Sequence, residues 1–390
     1  TDESGWLHFI ADLPIRAKYY LKEIYAPDGY VRATETQEFT FEYQGDKTAQ
    51  AVYEFTFEDV QTSVELSKAD LTDGKELPGA SLHVLDSTGT VVEEWISTEE
   101  PHMIRGLLVG ETYTLVETKP ADGYTTAESI EFKVEDTAEI QKHQMLDDVT
   151  KVEISKTDMT DSKEVPGAKL TILDKDGKVV ESWVSDKDPH MVEKLPVGTY
   201  TLREEQAPDG YLVAEEVSFE VKDTGEIQKV EMKDARPVGK LVLKKTDAED
   251  GSPLAGAEFE LRIKKSGKVV ATLVTDEEGA ATSGDIPIAT YKDGKMKKEI
   301  EYILVETKAT DGYVRSEKEE SVVFTYQDDK TKEIEITKEL TNERIPTGGY
   351  VKSPKTGDDT NIWLPIFLLV LSVGGIAGIF WYTKKKNHEE

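Results

Sequence analysis

Three residue types recur at fixed places in this sequence and together could form a covalent bond. The phrases YYLKEIYAPDGY at 19, YTLVETKPADGY at 113, YTLREEQAPDGY at 200 and YILVETKATDGY at 302 each set a Glu in line with a Tyr and a Leu. Side chains alternate along a strand, so residues two apart share a face. Tyr113, Leu115 and Glu117 therefore form one row, as do Tyr200, Leu202 and Glu204; Tyr302, Leu304 and Glu306; and Tyr19, Leu21 and Glu23. The same parity runs Val64, Leu66 into Lys68, Val152, Ile154 into Lys156, and Leu241, Leu243 into Lys245. A third set runs Phe55, Phe57 into Asp59, Met145 into Asp147, Val230, Met232 into Asp234, and Leu340 into Asn342. Every complete copy points a Lys, a Glu and an Asp or Asn inward from three strands.

Burial decides what such a set can do. Desolvation disfavours the charged forms of amine and carboxylate alike. A neutral Lys amine is a nucleophile, and a protonated Glu can donate to a carbonyl and relay protons. Held against the side-chain carbonyl of Asp or Asn, the amine gains a high effective concentration that offsets a poor leaving group. The product is an intramolecular amide, with loss of water from Asp or ammonia from Asn. The competing reading is a buried ion triad, which carries large desolvation costs for little net gain. The isopeptide reading is the stronger.

Positioning these rows requires a particular kind of domain. Self-comparison gives a period of about 88 residues, too long for a solenoid and suited to an array of small domains. SVELSKADLTDGKELPGASLHVLD at 63 matches KVEISKTDMTDSKEVPGAKLTILD at 151, and VGKLVLKKTDAEDGSPLAGAEFEL at 238 is a more divergent third start. Three full units follow, at 62–150, 151–237 and 238–346. Residues 1–61 carry the second half of a fourth, with Glu23 and Asp59 but no lysine strand. The Met-less start at Thr1 reads as a fragment or processed chain. Runs such as SIEFKVED and EVSFEVKD alternate cleanly between Asp-Gly, Gly-Lys and Pro-Gly turn signals, with no sustained helical period. The expected fold is all-β: tandem antiparallel sandwiches. DKDGK at 174 and DLTDGKE at 70 lack a full calcium ligand series and read as turns.

Composition narrows function. The chain of 390 residues carries a formal charge of −31 and no cysteine. That charge argues against nucleic-acid or anionic-membrane partners. Disulfides, thiolate nucleophiles and thiolate metal sites are excluded. His102 and His190 recur in matching PHM phrases without a second ligand nearby, so a structural role is preferred over zinc. No metal or cofactor is implied, and no Cys, His cluster or serine triad suggests an enzyme.

K-x-D followed by P-G-A or A-G-A, then V-E-T-x-x-x-x-G-Y, resembles the B-type repeat of collagen-binding surface proteins and SpaA-like pilins. The resemblance covers nearly all of residues 1–346. It implies a prealbumin- or immunoglobulin-like sandwich with Lys–Asn or Lys–Asp isopeptide bonds and a catalytic Glu. Carried over by motif, the triads are Lys68–Glu117–Asp147, Lys156–Glu204–Asp234 and Lys245–Glu306–Asn342. Asp148 adjoins Asp147, but alignment with the MKDA phrase at 232 favours Asp147.

From 362 to 382 the chain is apolar, and at about 1.5 Å per residue this run matches a bilayer core. Trp363 and Trp381 mark the two interfaces, and Lys384–Lys386 mark the cytoplasmic side. A transmembrane helix is expected over 361–383, with a basic tail at 384–390 and a linker at 347–360. Ser353, Pro354, Lys355, Thr356 and Gly357 precede it. This arrangement resembles the cell-wall sorting signal of Gram-positive bacteria, with Ser353 where that family usually has Leu. The resemblance implies a sortase that cleaves between Thr356 and Gly357 and passes Thr356 to a peptidoglycan or pilin amine. The expected protein is a secreted, wall-anchored stalk, membrane-held only before sorting. A second reading has the repeats themselves gripping host extracellular matrix. A Tyr-Pro-Lys motif of polymerising pilin backbones is absent from this sequence.

Overall fold

A computed structural model of the chain describes residues 1–48 and 50–346. The first full domain has seven strands, Ser63–Asp70, Ser81–Leu85, Val91–Ile96, His102–Arg105, Thr112–Lys119, Ile130–Lys133 and Gln141–Asp147. They build two sheets: one of four, ordered sixth–fifth–second–third, and one of three, ordered seventh–first–fourth. The second domain repeats both orders, from Lys151–Asp158 to Ile227–Asp234. Its apolar rows close a core between the sheets, with Val152, Ile154, Leu170, Ile172, Tyr200, Leu202 and Met232 in one cluster.

One expectation needs correction. The sandwiches are not purely antiparallel, because the first and last strands of each full domain pair in parallel. Seven strands joined by reversals leave the last running in the same direction as the first, and both lie in the same sheet. Parity predicts which side chains face inward but is indifferent to strand direction. The pairing matters for the site. Lys68 lies opposite Met145, and Asp70 opposite Asp147. Lys68 therefore reaches along the ladder to a residue two positions further on.

The third domain keeps this plan and adds a hairpin, Ala289–Lys292 with Lys295–Glu299, which the other two lack. The partial unit pairs Lys18–Lys22 with Thr36–Thr40, and Tyr30–Val31 with Val60–Gln61. Residues 51–59, read from their alternation as a last strand, carry no ladder. Their equivalents in the full domains pair with the first strand of the same domain. Phe55 instead packs on Phe39, with ring centroids 4.7 Å apart. DKDGK forms the tight turn between Lys169–Leu173 and Val179–Val184, closed by Asp174 N–H to the Lys178 carbonyl. Among the described residues no helix is long and apolar enough to cross a membrane. The expected span at 361–383 and the motif Ser353–Gly357 lie outside the described residues.

Candidate functional site

In each full domain the lysine comes from the first strand and its partner from the last, paired side by side in one sheet. The Glu faces them across the core from a central strand of the other sheet. Lys68, Lys156 and Lys245 are no more than 2 % exposed, and Asp147 and Asp234 are fully buried. Lys68 Nζ contacts Asp147 Oδ1 and lies 2.9 Å from Glu117 Oε1. Lys156 Nζ contacts Asp234 Oδ1 and lies 3.1 Å from Glu204 Oε2. Lys245 Nζ donates to Asn342 Oδ1 at 2.5 Å, with Glu306 Oε1 at 3.6 Å. Asp148 stays outside this cluster and pairs with Lys151 at 2.8 Å.

The Glu is held from behind. Ala127 N–H donates to Glu117 Oε2 at 2.7 Å, Ala214 N–H to Glu204 Oε2 at 2.7 Å, and Ser316 N–H to Glu306 Oε2 at 2.6 Å. Each donor stands ten residues after its Glu, just past the Asp-Gly-Tyr turn. The partial unit has the same bond, from Ala33 N–H to Glu23 Oε2 at 2.6 Å.

Protonation differs between copies. Burial pushes the Asp147 carboxyl up to about 7, against the pull of Lys68 and with Glu117 reinforcing the rise. Burial likewise pushes Asp234 up to about 7, opposed by Lys156 and reinforced by Glu204. Glu117 Oε1, Asp147 Oδ2, Glu204 Oε1 and Asp234 Oδ2 are buried without a hydrogen-bond partner. In the third domain Asn342 brings its own hydrogen: Nδ2 donates to Glu306 Oε1 at 2.8 Å. There burial holds Lys245 below the ordinary lysine range, although Glu306 opposes the fall. In the partial unit Asp59 is raised by burial and by the charge of Glu23, and its Oδ1 is orphaned.

A second polar cluster sits at the same end of each domain, and parity reasoning passed over it. Asp70, Asp158 and Asp247 continue the lysine rows by two residues and are buried. Each accepts from the tyrosine of the Asp-Gly-Tyr turn: Tyr124 at 2.7 Å, Tyr211 at 2.6 Å and Tyr313 at 2.7 Å. A cation completes each set, Lys194, Arg236 or Arg344. For Asp70 and Asp158 burial pushes upward, but the tyrosine, backbone and cation bonds outweigh it and hold both below the usual carboxylate range. The sequence signal was the fixed Lys-x-Asp spacing together with the recurring Gly-Tyr. His102 and His190 each stack on a tryptophan of the third strand and bond a glutamate there. Among the described residues no group of acidic or histidine side chains could hold a metal.

Tandem sandwiches, each with a buried amine set against a carboxyl or carboxamide between its terminal strands, define a class of prealbumin-like modules. The chain belongs to the SpaA prealbumin-like fold domain family, whose model matches residues 62–148, 150–236 and 239–340. Among solved structures it is similar to the Bacillus anthracis TIE protein, at 26% identity with a TM-score of 0.48. That match covers 73% of this chain and 52% of the other, so the chain spans about half of that relative. It is also similar to BcpA, the major pilin subunit of Bacillus cereus, at 18% identity, covering 73% of this chain and 99% of that one, TM-score 0.40. A streptococcal ancillary pilin matches at 15% identity over 73% and 99%, TM-score 0.30. No curated protein matches.

Proposed function

We propose that the chain is the stalk of a Gram-positive surface protein, each full domain locked by an isopeptide bond that it forms itself. The observation that carries this is the contact of a buried lysine amine with a buried Asp or Asn carbonyl oxygen, next to a buried Glu, three times over. In the first domain Lys68 Nζ attacks Asp147 Cγ. Protonated Glu117 donates to the Asp147 carbonyl oxygen, takes the amine's proton in exchange and delivers it to the departing hydroxyl. It recovers its own proton as the carbonyl re-forms, so the C–N bond forms as the C–O bond breaks and water leaves. Asp234 with Glu204 repeats this in the second. In the third, Lys245 Nζ attacks Asn342 Cγ, and Glu306, already accepting a hydrogen bond from the amide nitrogen, takes a proton from the amine and passes it to that nitrogen. The old C–N bond breaks as the new one forms, and ammonia leaves. Low dielectric and preset geometry supply the rate.

The same reading makes Ser353–Gly357 the sortase recognition sequence, with Thr356 passed to a peptidoglycan or pilin amine, and places the mature protein at the cell surface. It is a structural role without turnover. Intact mass tests the bonds: three should lower the sequence mass by about 53 Da, from two waters and one ammonia. Peptide mapping should join the Lys245 and Asn342 segments. An unmodified mass would end the isopeptide reading. For sorting, Thr356→Ala should leave the protein in the membrane fraction, and its covalent recovery with purified wall would exclude the motif.

A further inference from the structure

The two joints between full domains are built from different chemistry. At the first, the backbone crosses through fully buried Thr150, whose Oγ1 donates to the Leu195 carbonyl at 2.6 Å. Thr126 bonds Asp223 through its N–H at 2.8 Å and its hydroxyl at 2.7 Å. The cation for the first domain's Asp70–Tyr124 pair is Lys194 of the second domain, reaching Asp70 at 3.1 Å and Tyr124 at 2.6 Å. Its side chain is 51% exposed. Backbone packing adds to these polar contacts, since a Cβ on Gly123 would lie 2.4 Å from the Lys194 carbonyl oxygen. Lys194 Nζ sits 4.8 Å over the Tyr124 ring, and the lysine of the ion pair is open to solvent while Asp70 is buried.

At the second joint the cation comes from the connecting segment itself, since Arg236 pairs with Asp158 at 2.6 Å. The domain end is thereby left free for the hairpin that the third domain alone carries. Asp293 and Gly294 both have positive φ, 53° and 64°, the pattern of the tight turn that matches strand twist. The tip of this turn rests on the second domain so closely that a Cβ on Gly294 would lie 2.1 Å from the Glu164 carbonyl oxygen. Behind it, Tyr291 donates to the Gly210 carbonyl at 2.6 Å and meets Tyr211 edge-on at 5.2 Å. The Arg236 guanidinium covers its ring at 4.0 Å. Val165, Ala207 and Tyr211 form a buried cluster against Tyr291.

We propose that the hairpin at 289–299 is a splint that fuses the second and third domains into one rigid body, and that the first joint is an ionic hinge closed by Lys194. The splint is aromatic and packs on a buried apolar cluster, so screening affects it little, whereas the half-exposed Lys194 pair weakens as charges are screened. A stalk with one stiff and one salt-dependent joint would bend at a defined place. Neither joint uses the Lys–Glu–Asp triads, so the inference stands apart from the isopeptide reading.

The chain has no cysteine, which allows clean spin-labelling of the full protein. Glu99→Cys with Lys187→Cys reports the first joint, and Lys187→Cys with Lys265→Cys the second, by pulsed electron–electron distance measurement. At low salt both pairs should give one narrow peak. Raising salt to about 1 M, where the Debye length is about 3 Å, should cost the first pair its narrow peak and leave the second unchanged. Lys194→Ala should have the same selective effect at low salt. Tyr291→Ser, with Gly294→Val as an independent variant, should remove the narrow peak of the second pair alone, circular dichroism confirming that the domains stay folded. A second-pair peak that stays narrow in both variants overturns the splint. A first-pair peak indifferent to both salt and Lys194→Ala overturns the hinge.

Discussion

The second and third domains place the same constellation on the same strands, yet they solve the protonation problem differently. In the second, two carboxyl groups face one amine, and Glu204 Oε1 and Asp234 Oδ2 are left without a hydrogen-bond partner. In the third, the amide of Asn342 fills that place with a hydrogen of its own. Counting protons shows the consequence. A neutral Lys, a neutral Glu and a neutral electrophile require one more proton in the Asp version than in the Asn version. The lesson is that the electrophile sets the conditions under which the site can act, while the fold that presents it is constant.

The largest effect should come from removing the nucleophile. Lys156 and Asp234 are 78 positions apart, Lys245 and Asn342 are 97. Chain entropy puts closure of such loops at about 4–5 kcal/mol each, a model-dependent value. The proposed bond would join the terminal strands and so carry tension past the strands between them. Lys156→Ala should make the second domain alone extensible in single-molecule pulling, with the third unchanged. Extension steps identical to the parent would mean the bonds do not bear load.

Protonation gives the next effect in size. Asp234 is pushed to about 7 by burial, with Lys156 opposing and Glu204 assisting. The carboxyl is raised, so its neutral, electrophilic form is present below about pH 7 and lost above it. Bond formation in the second domain should therefore slow by about tenfold per pH unit above 7, while the third shows no such break. Asn342→Asp should give the third domain the same break and change its mass loss from ammonia to water. Time-resolved mass measurement after refolding decides this, and identical pH profiles for the two domains would defeat the proton count.

How much of this was legible in sequence depends on the kind of contact. The inward placing of Lys68, Glu117 and Asp147 follows from period-two alternation, a local property repeated often enough to outweigh register error. The parallel pairing of first and last strands was not legible, because alternation is identical for either direction. Asp70 stood on the same row as Lys68, but beside an Asp-Gly turn an aspartate reads as a turn residue. Only the fold shows Tyr124 closing over it. The turn at Asp293–Gly294 was visible as a turn signal. Its seat on Glu164 was not, since contact between segments over a hundred residues apart leaves no periodic trace. In residues 51–59 alternation was present without a ladder, which shows that pattern states a preference and a partner strand realises it.

The smallest predicted effect probes the second polar cluster and separates the two domain ends again. Tyr211 is fully buried, donates to Asp158 and lies beneath the hairpin. Tyr313 makes the equivalent bond to Asp247, but it is only half-buried and its cation, Arg344, is 51% exposed. Removing a hydroxyl from a buried pair leaves the aspartate short of a donor that water cannot replace, at about 1–3 kcal/mol. At the open end water can enter and restore the bond. Tyr211→Phe should therefore lower the melting temperature of its domain by several degrees, and Tyr313→Phe should lower that of the third domain less. The comparison is best made in Lys156→Ala and Lys245→Ala backgrounds, where no covalent bond masks unfolding. Equal losses at the two tyrosines would show that the hairpin does not exclude water from the second domain's end, and that burial there has no energetic consequence for the Asp–Tyr pair.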